Sequence, residues 1–104
     1  MSHVEYIRNR LRRLRILQTL YNQRPEVLGE GILFQELKQD PDLNATPEGV
    51  RRSLDYLNDR RLAEIEKVNK GRTWTARITA DGVDYLEGDD PDIPGISHPD
   101  DFIN

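Results

Sequence analysis

The sequence predicts one mainly helical α+β domain: three helices, then a β-hairpin, then a short closing helix. Three local signals point to it. Thr46-Pro47-Glu48 is a helix start, with a capping hydroxyl, a proline at the first helical position and an acid in the first turn. Asn69-Lys70-Gly71-Arg72 separates two β-forming runs and reads as a hairpin turn. Thr79, three residues before Gly82, caps one more short helix.

The first helix is expected over residues 5–22, ending before Pro25. At helical spacing Ile7, Leu11, Leu14, Leu17 and Tyr21 fall on one arc, and Ile16 and Leu20 widen it. An arc this wide suits a helix that packs on its own domain and on a second subunit. Arg8, Arg12 and Arg15 share the narrow face that remains, while Arg10 and Arg13 fall inside the apolar arc. There their stems can cover apolar surface at a dimer seam. Residues 24–30 read as a loop. A short second helix is expected at 31–39, with Leu33, Phe34 and Leu37 on one side. DPDLNA follows as a turn, with Leu43 as a buried anchor.

The third helix runs over 47–60, with Val50, Leu54 and Leu57 at i, i+4 and i+7. Gly49 costs it about 1 kcal/mol relative to alanine. It is either an ordinary tolerated glycine or room for a backbone or a phosphate. Strands are expected at 62–68 and 73–78. Trp74, Ala76 and Ile78 alternate onto one face, which makes Trp74 core of the hairpin rather than a stacking platform. In the closing helix Val83 and Leu86 turn inward. Tyr6, Tyr21 and Tyr85 are expected at core margins. The domain is therefore placed at residues 1–87. Residues 88–104 hold three prolines and five acids, and are expected to form an extended or disordered acidic tail.

Composition narrows the function. A chain of 104 residues is one domain, able to bury roughly two-thirds of its unfolded surface. The first residues lack the unbroken apolar stretch of a signal peptide, and no apolar run is long enough to span a membrane. The expectation is a soluble cytoplasmic protein. Cysteine is absent, which excludes disulfides and thiolate chemistry. The formal charge of −4 conceals an asymmetry. Residues 81–104 carry eight acids and no Lys or Arg, whereas residues 1–80 carry all fifteen Lys and Arg against eleven acids. A mildly basic body is compatible with nucleic acid. No phosphate loop, Cys nucleophile or HExxH is present. His3 and His98, the two histidines, lie outside the predicted core, so no general base serves a Ser-His-Asp site. The chain is not expected to be an enzyme, and no cofactor is implied.

Two helices joined by a turn and followed by a β-hairpin make the winged helix arrangement. The residues carry a resemblance as well. Val50-Arg51-Arg52-Ser53-Leu54-Asp55-Tyr56-Leu57, followed by Asn58 to Ile65, resembles the recognition helix and first wing strand of ArsR- and MarR-like winged helix regulators. Ile78-Thr79 with Gly82, Tyr85 and Leu86 resembles the segment that closes their wing, and the likeness covers about residues 10–87. The whole chain, with Gly88 and Pro94-Gly95-Ile96, also resembles a small family encoded in Mu-like prophages. The resemblance implies a sequence-specific transcription regulator, phage- or prophage-encoded, acting on double-stranded DNA as a homodimer through the N-terminal helix. The family glycine before the first wing strand is Arg61 here. The Cys-containing metal sites of ArsR sensors have no counterpart, so no metal is implied.

On this reading helix 47–60 enters the major groove, with Thr46, Arg51 and Arg52 at its reading end and Ser53 and Tyr56 for phosphates or thymine methyls. Lys67, Lys70 and Arg72, in the wing over 67–73, touch the backbone. The Arg8, Arg12, Arg15 face either tracks a phosphate strand or is solvated. A different reading stays open. Glu48 lies four residues before Arg52 and Asp55 four after Arg51, so i,i+4 pairs can neutralise both arginines. The domain would then be a protein-interaction module that does not bind DNA.

Overall fold

The computed structural model of the chain describes residues 2–88 and 93–98. They form a mainly helical α+β domain of four α-helices, one 3-10 turn and a three-stranded antiparallel sheet.

Helix α1 spans His3–Asn22 and starts where the Ser2 hydroxyl accepts from the Glu5 N–H (3.1 Å). Leu14, Ile16, Leu17 and Leu20 are fully buried and form one wall of the core. The apolar arc expected from Ile7 onward is only partly used, because Val4, Tyr6 and Ile7 are 54%, 47% and 40% exposed. A helix of twenty residues is about 30 Å long. One side of its first two turns, carrying Val4, Tyr6 and Ile7, is left uncovered by the body. Tyr6 is therefore not the core-margin residue the sequence predicts.

The Arg8, Arg12, Arg15 face is also corrected. It is neither simply solvated nor a free phosphate track, because its guanidiniums are engaged at the 3-10 turn Pro41–Leu43 and the residues flanking it. Arg12 is only 4% exposed. It donates to the carbonyls of Leu43 (2.6 Å) and Asn44 (3.4 Å), to Asn9 (2.8 Å) and to Glu5 (2.9 Å). Arg8 donates to the Asp42 carbonyl (2.8 Å), and Arg15 lies 3.9 Å from Asp40. A one-turn helix leaves carbonyls without internal partners, and guanidinium forks supply the donors. Leu43 is the buried anchor that the sequence predicts.

The expected loop 24–30 contains a short strand. In β1, Leu28–Gly29, Leu28 pairs with Ala76 and Gly29 with Thr75. Helix α2, Glu30–Lys38, follows at once and buries Leu33 and Leu37. Helix α3, Pro47–Asp59, begins as predicted, with the Thr46 hydroxyl accepting from the Gly49 N–H (3.0 Å). Val50, Leu54 and Leu57 point inward. The helix closes as a Schellman motif. The Arg61 N–H donates to Asn58 and the Leu62 N–H to Leu57, with Arg61 at φ 63°. The position that resembles a family glycine thus keeps a glycine-like backbone while carrying an arginine.

Strands β2, Ala63–Val68, and β3, Thr73–Ile78, pair from Ala63↔Ile78 to Val68↔Thr73, and the sheet order is β1-β3-β2. Asn69, Lys70 and Gly71 take positive φ in succession at the hairpin tip. Trp74 and Ala76 face the core as predicted. Helix α4, Ala80–Leu86, is capped by Thr79, whose hydroxyl accepts from the Gly82 N–H (3.1 Å). Tyr85 is 2% exposed, a core residue rather than a margin, whereas Val83 and Leu86 are half-buried.

The domain boundary expected at residue 88 moves. Residues 93–98 return to the body and bury Ile96 to 1% exposure. Arg13 donates to the Gly95 carbonyl (2.6 Å) and Arg10 to that of Ile96 (3.3 Å), so these two arginines hold the chain's own backbone. An aliphatic side chain inside a Pro/Gly/Asp-rich stretch was the available signal. The rest of the expected tail lies outside the described residues.

Candidate nucleic-acid interface

The predicted site residues lie on α3 and on the β2–β3 hairpin, and the structure divides them into two kinds. Arg51 is tied down. It pairs bidentately with Glu30 at the first position of α2, Nε to Oε1 at 2.6 Å and Nη2 to Oε2 at 2.8 Å. Its Nη2 also donates to the Arg72 carbonyl (2.8 Å), and its guanidinium lies 4.8 Å from the centre of the Trp74 ring. Glu30 Oε2 accepts in addition from the Trp74 N–H (2.7 Å). One carboxylate and one guanidinium therefore bind α2, α3 and the hairpin together. The hydrogen bonds from Arg51 hold the Glu30 carboxyl below the usual carboxylate range against a smaller opposing effect of burial, and the Trp74 N–H adds to the lowering. The same pairing raises the Arg51 pKa.

Ser53 is 4% exposed and faces the core, out of reach of a phosphate. Tyr56 is half-buried. The guanidiniums of Arg13 and Arg60 lie 3.9 and 5.1 Å from its ring centre, and Gly95 packs on its hydroxyl. Thr46 is exposed, but its hydroxyl is engaged in the cap. Gly49 is buried, and a Cβ there would sit 3.0 Å from that capping oxygen, so the glycine leaves room for the cap rather than for a ligand.

The second kind is free. Arg52, Lys67, Lys70 and Arg72 are exposed, and none forms an ion pair among the described residues. Lys67 Nζ lies 4.5 Å from the centre of the Trp74 ring. Asn69, Lys70, Arg72 and Thr73 line an open concavity of about 430 Å³ at the hairpin tip.

Neither expected i,i+4 pair forms among the described residues. Arg51 takes Glu30, twenty-one positions away, instead of Asp55, and Arg52 stands apart from Glu48. Glu30 is the residue that sequence reasoning missed. An acid at the start of a helix is ordinarily explained by the helix dipole, and nothing local announces a partner on another helix. The acids remain part of the surface, since Glu48, Asp55 and Asp59 are exposed on α3 beside Arg52 and Arg60. Among the described residues, no cluster of His, Cys, Asp or Glu is placed to hold a metal ion, and no helix is long and apolar enough to cross a membrane. Comparison of the chain with protein-family models, with curated proteins and with solved structures found no match.

Proposed function

We propose that this chain is a winged helix-turn-helix domain that binds double-stranded DNA as a transcription regulator of the prophage-encoded kind its sequence resembles. The observation that carries the reading is the placement of four unpaired cations. Arg52 sits on the helix that follows the turn, and Lys67, Lys70 and Arg72 surround the tip of the hairpin that follows it. The element order supports the fold assignment. Helix, short strand, helix, turn, helix and two-stranded hairpin is the winged helix sequence of elements. In this reading the hairpin is the wing, and its cations lie on phosphates. They supply affinity and salt dependence. Arg52 is left as the base reader on α3. Arg51 sets the angle between helix and wing and does not touch the bases. The exposed Val4, Tyr6 and Ile7 of α1 support a homodimer seam at its N-terminal end.

One observation favours a second reading. Glu48, Asp55 and Asp59 share the exposed side of α3 with Arg52, a mixed surface that suits a protein partner. Selection from random duplex DNA at two salt concentrations separates the readings. DNA binding predicts an enriched motif, affinity that falls steeply with salt, and a salt slope reduced by about one for Lys70→Ala. Arg52→Ala broadens the motif. If the full chain retains no duplex at low salt, DNA is excluded and the protein-interaction reading stands.

A further inference from the structure

The segment 93–98 is held in the manner of a bound peptide. It contributes no helix or strand, and three different helices grip it. From α1, Arg13 and Arg10 donate to the carbonyls of Gly95 and Ile96, and the Arg10 carbonyl accepts from the Ser97 N–H (3.3 Å). From α4, the Tyr85 hydroxyl donates to the Ser97 carbonyl (3.0 Å). From α3, Tyr56 lies against Gly95 so closely that a Cβ would overlap its hydroxyl. A turn shapes the segment internally, with the Ile96 N–H on the Ile93 carbonyl (3.1 Å).

All of these hydrogen bonds engage the segment's main chain. Selectivity rests on two side-chain positions, a glycine where Tyr56 leaves no space and an aliphatic anchor at Ile96. Backbone capture with one or two side-chain pockets is a way in which folded domains recognise short peptides. The fit is incomplete at three atoms. The Tyr56 hydroxyl and the Nε atoms of Arg10 and Arg13 are buried and have no hydrogen-bond partner among the described residues.

We propose that the groove between α1, α3 and α4 is a peptide-recognition site for Gly-aliphatic turn segments, and that its occupant is exchangeable with the same segment of a second copy of this chain. The site is independent of the DNA reading, since none of its groups is among the four free cations. The residues that hold the peptide come from the folded body, and each of these hydrogen bonds between body and segment is one that the same segment of a second copy can make.

The test uses the full chain with its own anchor spoiled, Ile96→Asp, and a fluorescent peptide of residues 91–99 in the natural sequence. A carboxylate is expelled from an apolar pocket, so the groove empties. The peptide is then expected to bind Ile96→Asp saturably, and to bind the natural chain about tenfold more weakly. That factor follows from a tethered competitor at millimolar effective concentration facing a peptide of about 0.1 mM affinity. A peptide with Gly95→Ala should lose binding to both. Gly95→Ala in the chain is the second variant, because it loosens the segment without adding charge. Equal binding to the natural and variant chains would place the peptide elsewhere and overturn the proposal. So would no binding to folded variants. Loss of folding in both variants would also overturn it, since the segment would then be part of the core and not a ligand of it.

Discussion

Removing the Glu30 carboxylate tests the junction that joins α2, α3 and the hairpin. In Glu30→Ala three donors lose one acceptor group. Arg51 is partly exposed and turns to water at little cost. The Trp74 N–H belongs to a residue only 9% exposed, and leaving such a donor unsatisfied costs about 1–3 kcal/mol. Loss of an acid from the first turn of α2 adds about 0.3–1 kcal/mol. The expected destabilisation is therefore about 2 kcal/mol, a fall in Tm of about 10 °C for a domain of this size. Thermal and urea unfolding measure it, and Glu30→Gln, which keeps one acceptor oxygen, should lose less. The pH dependence carries its own sign. Glu30 has its pKa lowered in the folded state, so its contribution is complete above the unfolded carboxyl value and is lost as pH falls through the lower folded value. The gap between natural protein and Glu30→Ala should hold from neutral pH to about pH 5 and narrow below about pH 4. A Glu30→Ala protein within about 0.5 kcal/mol of the natural one, or a gap unchanged in acid, would refute this account of the junction.

Other substitutions test the fold by sign as much as by size. Gly31→Ala and Gly82→Ala should diverge. Gly31 has open space in α2 and gains about 0.5 kcal/mol from alanine. A Cβ at Gly82 would overlap the Leu62 carbonyl and lie 2.7 Å from Ile78, for a loss of about 1–3 kcal/mol in urea unfolding. Arg61→Gly should stabilise by about 0.5–1 kcal/mol, because it removes an L side chain from a left-handed position (φ 63°). Arg12→Ala should destabilise by about 2–3 kcal/mol, since the Leu43 carbonyl loses its 2.6 Å donor, and amide exchange around the 3-10 turn should rise.

The sequence was informative wherever the interactions are local. The Thr46 cap, the inward row Val50, Leu54 and Leu57, the Gly71 hairpin and the Thr79 cap each depend on neighbours within a few residues, and periodicity or capping chemistry reveals them. The errors fall where partners are remote. Arg12 sits on a helix face that looks solvated until the turn at Pro41–Leu43, thirty-one positions on, supplies carbonyls. Leu28–Gly29 becomes a strand only because the Ala76 edge is there to pair with it. Ile96 enters the core because Arg10 and Arg13, more than eighty positions earlier, hold the main chain beside it. Around the candidate interface the helix and the hairpin were legible as elements. Which arginine is free was not, because Glu30 chooses Arg51 across space and leaves Arg52 exposed.

The grip of α1 on residues 95–97 also orders events in time. The helix is synthesised before the segment that completes its packing, and more than eighty residues separate the two. While the intervening residues are being made, the Arg10–Arg13 face has no cis partner to close on. Contacts of such sequence separation form late and limit folding rate. A nascent chain of this protein therefore completes the groove between α1, α3 and α4 only shortly before the segment that fills it.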